Sequence, residues 1–296
     1  RVIVRHVSES ASQRLLLERG DVDMARDLNP EDIAGARGAD GINIHDELRG
    51  RLMYLAFSQK HPELSKPEVR QAMKYLVDYQ GMQDSFLSGQ YVIHQNFLPR
   101  TFLGAVDENP FSLNVAKAKE LLKAAGVPEG LELKAGVREA QERIEIAQTF
   151  QNALAQVGIK LNITVGTAKQ ILGEYRARNL DVYIGAWGPD YPDPHTNAGT
   201  FAFNPDNSDA ANATGLLAWR NSWNTNGLTE KVAAAVIEND RDVRQKMYSD
   251  IQAEFRDSSP FAVMFQKIEQ AAMRDNVKNV NLGGATTAVS YWPITK

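Results

Sequence analysis

Three prolines within six residues, Pro189, Pro192 and Pro194, follow directly on the apolar run Asp181 to Trp187, and they limit what this chain can fold into more than any other feature. The run reads as a strand. Proline lacks an N–H and has a locked φ, so neither helix nor sheet continues past Trp187, and Gly188-Pro189-Asp190-Tyr191-Pro192-Asp193-Pro194 is expected to be a stiff loop. Such a loop holds Trp187 and Asp190 in fixed positions. A fixed carboxylate beside a large aromatic suits a cation or a primary amine, through a charge-assisted hydrogen bond on one side and ring contact on the other. The same residues also fit a plainer role, with Trp187 as core and Asp190 as a turn cap.

Around this segment the sequence alternates strands and helices. Val2 to His6, Asp21 to Ala25, Leu52 to Phe57, Leu131 to Val137, Ile159 to Val165 and Phe261 to Phe265 read as strands, and Val289 to Ile294 as a last one. Helices are expected at Ser10–Arg19, from the cap Asn29-Pro30, from Lys66-Pro67-Glu68 to near Gly81, and over Leu113–Ala125, Ile144–Gln156, Ala168–Arg178, Thr229–Glu238 and Arg241–Phe255. Phe97 to Pro110 and the polar stretch Asn204 to Thr214 read as loops. This alternation implies βαβ units on a largely parallel sheet, with ligands outside the carboxyl ends of the strands, where the loop after Trp187 lies.

Composition excludes several classes of function. With 296 residues, 43% of them hydrophobic, and a net charge of -4, the chain can bury a large core but offers no basic face for nucleic acid. No cysteine is present, so disulfides, thiolate metal sites and a cysteine nucleophile are out, which suits an oxidising compartment. His6, His45, His61, His94 and His195 are scattered without metal-ligand spacing; only His195, beside the Asp193-Pro194 turn, is near the proposed pocket and keeps a metal-chelate ligand open. No cofactor is expected. Asp190 and Asp193 as the paired carboxylates of a glycosidase is a rival reading, and no Gly-x-Ser-x-Gly elbow supports serine catalysis. The lysines Lys117, Lys119 and Lys123 form a solvated helix face. Trp219 and Trp223, four apart, fit either a core seam or an aromatic ligand platform, which leaves a carbohydrate ligand open. The first residues, Arg1-Val2-Ile3-Val4-Arg5, look like the middle of a strand without the apolar core of a signal peptide, and a processed or truncated product is expected.

The order of motifs carries a resemblance. Leu52-Met53-Tyr54-Leu55-Ala56-Phe57 followed by Lys66-Pro67-Glu68-Val69-Arg70-Gln71-Ala72-Met73, then Val115 to Gly126, Trp187 to Pro194 and Ser259-Pro260-Phe261-Ala262-Val263-Met264-Phe265, closely resembles the family-5 extracellular solute-binding proteins, the dipeptide, oligopeptide and nickel receptors of ABC importers. The stretch Leu16 to Met24 is similar to the family's helix and strand before the first hinge. The resemblance implies an α/β, two-lobed fold of the periplasmic-binding-protein type II kind, with mixed sheets flanked by helices and lobe one incomplete. It implies that residues 1–51 belong to lobe one, that 52–57 cross the hinge, that 58–270 form lobe two and that 271–296 return, with hinge candidates at 49–57 and 282–291.

It further implies a periplasmic or cell-surface receptor, monomeric and without catalysis, that traps a short peptide or amine-bearing molecule and hands it to permease subunits. Asp190 matches the aspartate that pairs with a peptide's α-amino group, and Trp187 the strand tryptophan beside it; Tyr191, Arg26, Phe57 and Trp219 complete the expected ligand set. Some oligopeptide receptors carry an arginine six positions before the aspartate, where this chain has Ile184. A ligand carboxylate therefore needs another cation. Arg138, Arg176 and Arg178 are the candidates, although helix arginines are mostly solvated.

Overall fold

Two long strands, made of residues more than 200 positions apart, run through the whole molecule and decide where everything else sits. The structure is a computed structural model and describes residues 1–283 and 289–296. In chain order the elements are α1 (Ser10–Arg19), β1 (Met24–Arg26), α2 (Pro30–Ala36), β2 (Ile42–Phe57), α3 (Pro67–Tyr75), α4 (Tyr79–Asp84), β3 (Tyr91–Ile93) and α5 (Val115–Ala124). Then come β4 (Glu132–Arg138), α6 (Gln141–Ala155), β5 (Lys160–Gly166), α7 (Ala168–Arg176), β6 (Val182–Trp187), α8 (His195–Phe201), α9 (Leu217–Arg220), α10 (Leu228–Ile237), α11 (Arg241–Ser258) and β7 (Phe261–Arg274). The strands form one sheet in the order β1-β7-β2-β6-β4-β5, with β3 added to β7.

The expectation of a largely parallel sheet is corrected. Only β4 with β5 and β4 with β6 are parallel, while β1, β2 and β3 pair antiparallel to β7, and β2 antiparallel to β6. The mixed sheet implied by the family resemblance is what forms. Local signals placed the helices well: the Asn29 side chain accepts from the Asp32 N–H ahead of α2, and Thr167 and Gln170 form a reciprocal capping box at α7. Gly20, at φ 81, ends α1 in the left-handed conformation that glycine takes without cost. The helix expected to run from Lys66 to near Gly81 stops at Leu76, and α4 starts anew behind the Asp78 cap. Val2 to His6 forms no strand, and its side chains Val2, Ile3 and Val4 are exposed. Val289 to Ile294 holds only an isolated bridge from Ser290 to Asn281.

Strand alternation sends the larger half of the sheet into two cores. On one face Met53, Leu55, Phe57, Val182 and Ile184 pack under α3, α5 and α6; on the other Leu52, Tyr54, Ala56 and Tyr183 pack under α7, α8 and α11. A third, small cluster of Leu17, Ala25, Leu28, Ile33 and Ile42 gathers α1, α2 and the far ends of β2 and β7. Each fully buried Leu, Phe or Met on these faces stabilises by roughly 1.5–3 kcal/mol. Leu52 to Phe57, expected as the hinge crossing, are flanked by β6 and β7 inside the larger core, and the β2–β7 register shifts twice, between Leu48 and Leu52 and between Met53 and Tyr54. The other hinge candidate, 282–291, lies partly outside the described residues.

Candidate functional site

The C-terminal end of β6 leads into the proline-rich loop that carries Asp190 and Tyr191. β6 lies between β2 and β4, with Leu52 opposite Trp187 and Val137 beside Ile184, so the loop that follows emerges at an end of the sheet. Gly185 is required here: a Cβ would collide with the rings of Tyr54 and Tyr183. Its absence lets Tyr183 stack on Tyr175, with centroids 3.9 Å apart, and gives the strand a rigid aromatic backing.

Beyond the strand the loop is pinned. Asp193 accepts two hydrogen bonds from Arg244, at 2.8 and 2.9 Å, and one from the His195 N–H at 2.8 Å, where α8 begins. Partial burial works against the ionised form of Asp193, but these bonds win and hold its carboxyl below the usual range. Arg244 also donates to the Ala235 carbonyl at 3.0 Å, tying the loop to α10 and α11. The paired-carboxylate reading fails on this geometry, because Asp193 is consumed as a structural ion pair. Asp190 is its opposite. Its backbone N–H donates to Thr196 Oγ1 at 3.1 Å, while its exposed carboxylate accepts no hydrogen bond and forms no ion pair among the described residues.

Trp187 is half-buried against the second core, and its indole N–H is buried without an acceptor. Tyr191 is 46% exposed. Its phenol is pushed up by desolvation and by the charges of Asp193 and Asp190. His195 is half-buried, its Nδ1 without a partner, and burial lowers its pKa. Among the described residues there is no cluster of three or more metal-ligating side chains.

Phe57 and Trp219 meet full packing environments instead of a pocket. Phe57 is fully buried and sits against Phe150, so it is core. Trp219 is buried with its Nε1–H donating to the Ser208 carbonyl at 2.9 Å, and the Arg178 guanidinium lies 3.6 Å above its ring. Arg178 itself, expected to be solvated, is buried and hydrogen-bonded to the Trp219 and Asn207 carbonyls, Asn207 Oδ1 and Asp209. Arg176 is exposed at the end of α7. Arg26 is on β1, far along the sheet, donating to Glu269 at 2.6 Å and to the Tyr291 hydroxyl at 3.0 Å. Burial opposes its charge, but Glu269 outweighs this and raises its pKa.

Two cations that the sequence reading passed over stand with Arg138 at the loop's end of the sheet. Arg138 ends β4 and Arg51 precedes Leu52 on β2, so they stand on the two strands that flank β6, and neither side chain has a hydrogen bond or ion pair among the described residues. Arg143, in the first turn of α6, is 4% exposed with its Nη1 buried and unpartnered, and desolvation lowers its pKa. A signal was available: Arg143 occupies the apolar stripe it forms with Ile146, Ala147 and Phe150, at spacings of three, four and seven.

Comparison with known proteins agrees with this architecture. The chain is 27% identical over 281 residues to a probable D,D-dipeptide-binding periplasmic protein of Escherichia coli, covering 94% of this chain and 53% of that protein. It spans about half the length of the curated relatives it matches. Among solved structures it superposes on a periplasmic binding protein of Helicobacter pylori in complex with the peptide STSA, with a TM-score of 0.83 at 19% identity, covering 98% of this chain and 56% of that one. It also superposes on the binding protein AgaA of A. tumefaciens R10 in complex with agropinic acid, with a TM-score of 0.79 at 22% identity, covering 95% of this chain and 57% of that one. No described helix is long and apolar enough to cross a membrane. Residues 1–209 match the family model of the bacterial extracellular solute-binding proteins, family 5, and the chain belongs to that family.

Proposed function

We propose that this chain supplies about half of an extracytoplasmic receptor, in the periplasm or at the cell surface, that captures a short peptide or another amine-bearing small molecule between two lobes for an ABC importer. One observation carries the reading: of the two aspartates in the proline-rich loop, Asp193 is neutralised by Arg244 and holds the loop still, and Asp190 is left exposed and unpaired beside Trp187. A loop fixed in this way presents Asp190 to a ligand ammonium at little ordering cost, which favours affinity. The peptide-bound and agropinic-acid-bound relatives support a polar organic ligand.

The lobes are proposed to hinge at the first of the two β2–β7 register shifts, between Leu48 and Leu52, with residues up to that point and the far end of β7 moving as lobe one. A ligand that binds the closed form better shifts the equilibrium toward it, and that form is what permease subunits would recognise. The test is a titration with a dipeptide and with its N-acetylated form, on the parent and on Asp190→Asn. Acetylation and the substitution should each weaken binding by about 2–5 kcal/mol without adding to one another. Equal affinity for both forms in the parent, as a neutral sugar site would show, rejects the reading.

A further inference from the structure

The first β2–β7 register shift leaves backbone to be satisfied. Between Leu48 and Leu52 β2 has three residues, Arg49, Gly50 and Arg51, where β7 has only Lys267 between Ile268 and Gln266. Such a bulge bends a strand and interrupts its ladder. Gln266 fills part of the gap with its side chain: fully buried, it donates from Nε2 to the Arg49 carbonyl at 2.7 Å. Its Oε1 is used as well, accepting from the Arg100 N–H at 3.0 Å. One buried amide thus ties the bulge to the segment 97–100.

That segment is stiff. Pro99 fixes one of its φ angles, His94 Nε2 donates to the Leu98 carbonyl, and the Phe97 ring packs on Phe201 and Phe255. A second fully buried amide, Asn197 of α8, donates to the Phe97 carbonyl at 2.6 Å. Its neighbours in α8 hold the ligand loop: Thr196 accepts from the Asp190 N–H, and the His195 N–H donates to Asp193. The loop in turn continues β6, whose Trp187 stands opposite Leu52 at the end of the bulge. These links close a ring that runs from the bulge through Gln266, segment 97–100, Asn197, α8, the ligand loop and Trp187 back to Leu52.

We propose that Gln266 and Asn197 are positioning residues that couple the ligand loop to the hinge inside this chain, so that a ligand held by the loop acts on the 49–51 backbone without having to touch the other lobe. This rests on the proposed hinge between Leu48 and Leu52 and on the reading of the loop after β6 as the ligand site. Bending at the bulge displaces the Arg49 carbonyl. Gln266 then either follows it, moving segment 97–100 and α8, or leaves polar groups unmet in the interior, which is costly. A contiguous set of hydrogen bonds and rigid elements that meets a two-state element is the physical basis for such coupling.

The experiment is hydrogen exchange read by mass spectrometry on the ligand-free protein that carries this chain, in the parent, Gln266→Met, Asn197→Leu and the double variant. Methionine keeps nearly the shape of Gln266 and removes both of its hydrogen bonds. Gln266→Met should speed exchange about fivefold or more in the ligand loop and α8, and Asn197→Leu should do the same at residues 47–52, with β4 and α6 at parental rates. Cutting a ring twice frees no more than cutting it once. The double variant should therefore exchange in each region no faster than the faster single variant, whereas independent effects would multiply. Asn197→Ser cuts the same link should the leucine variant not fold. Remote exchange at parental rates, acceleration spread evenly into β4 and α6, or multiplying effects overturns the proposal. No ligand enters this measurement, so it is independent of the dipeptide titration. A parent that binds no dipeptide sinks the amine reading and leaves the ring standing; a parent that binds it without any remote effect on exchange loses the ring alone.

Discussion

Arg178 and Arg143 are buried to nearly the same degree, yet the two regions that hold them have opposite chemistry. Around Arg178 each of the three guanidinium nitrogens donates a hydrogen bond: carbonyls from Trp219 and Asn207, the Asn207 side chain, the Asp209 carboxylate and the Trp219 ring form a shell that staples the 204–221 segment to the end of α7. The Arg143 side chain makes no hydrogen bond or ion pair among the described residues. Two other buried bases show a third outcome. Burial pushes Lys74 down to about 7 and His94 to about 4, so these groups can give up their proton, which an arginine does not do. The difference teaches that burial alone does not say what a cation does; the groups around it do.

The largest expected effect breaks the first half of this comparison. Arg178→Gln should cost about 3–5 kcal/mol in denaturant unfolding, because it strands the acceptors of that shell. A loss under about 1 kcal/mol would mean that the shell is not what holds the segment.

Next in size is a pH effect. His94 donates from Nε2 to the Leu98 carbonyl at 2.6 Å and is fully buried, with desolvation the main cause of its lowered pKa. The unfolded chain takes up a proton below about 6.5 and the folded one only near 4, so stability should fall by on the order of 2–3 kcal/mol as pH drops from 6.5 to 4, and this term should then level off. His94→Asn should flatten that part of the profile, and an unchanged slope would remove His94 as its source.

Smaller still is the pair in the loop. Asp193→Asn should cost about 1 kcal/mol, the value of a bidentate ion pair that is still partly open to water. Asp190→Asn and Arg143→Gln should leave ligand-free stability within about 0.5 kcal/mol, with Arg143→Gln on the stabilising side. If Asp190→Asn destabilised as much as Asp193→Asn, the division of labour in the loop would be wrong.

The helices were legible in the sequence because their signals are local: Asn29-Pro30, Asn114, Asp240 and the Thr167–Gln170 box each cap the helix they precede. Strand direction was not. β2 and β7 meet across the chain, and the polar first half of β2, Ile42 to Arg51, carries no apolar run to announce a strand. Helix α8 escaped notice because His195-Thr196-Asn197-Ala198-Gly199 has weak helical propensity and is held instead by Asn197 donating to the Phe97 carbonyl at 2.6 Å. In the site, proline spacing singled out Asp190 and Trp187, but only coordinates could show that Asp193 is spent on Arg244 and that Phe57 and Trp219 are packing residues. Arg143 was readable as a charge on an apolar stripe; that it lacks a counter-ion was not.

The most direct measurement is native mass spectrometry of the purified protein beside its Asp190→Asn variant, with amine labelling of whatever small molecule is released. The account predicts a retained molecule of a few hundred daltons that takes up label at a primary amine and is lost from the variant, an order-of-magnitude size for what a two-lobed cleft encloses. A molecule without an amine, or one kept equally well by Asp190→Asn, would contradict it.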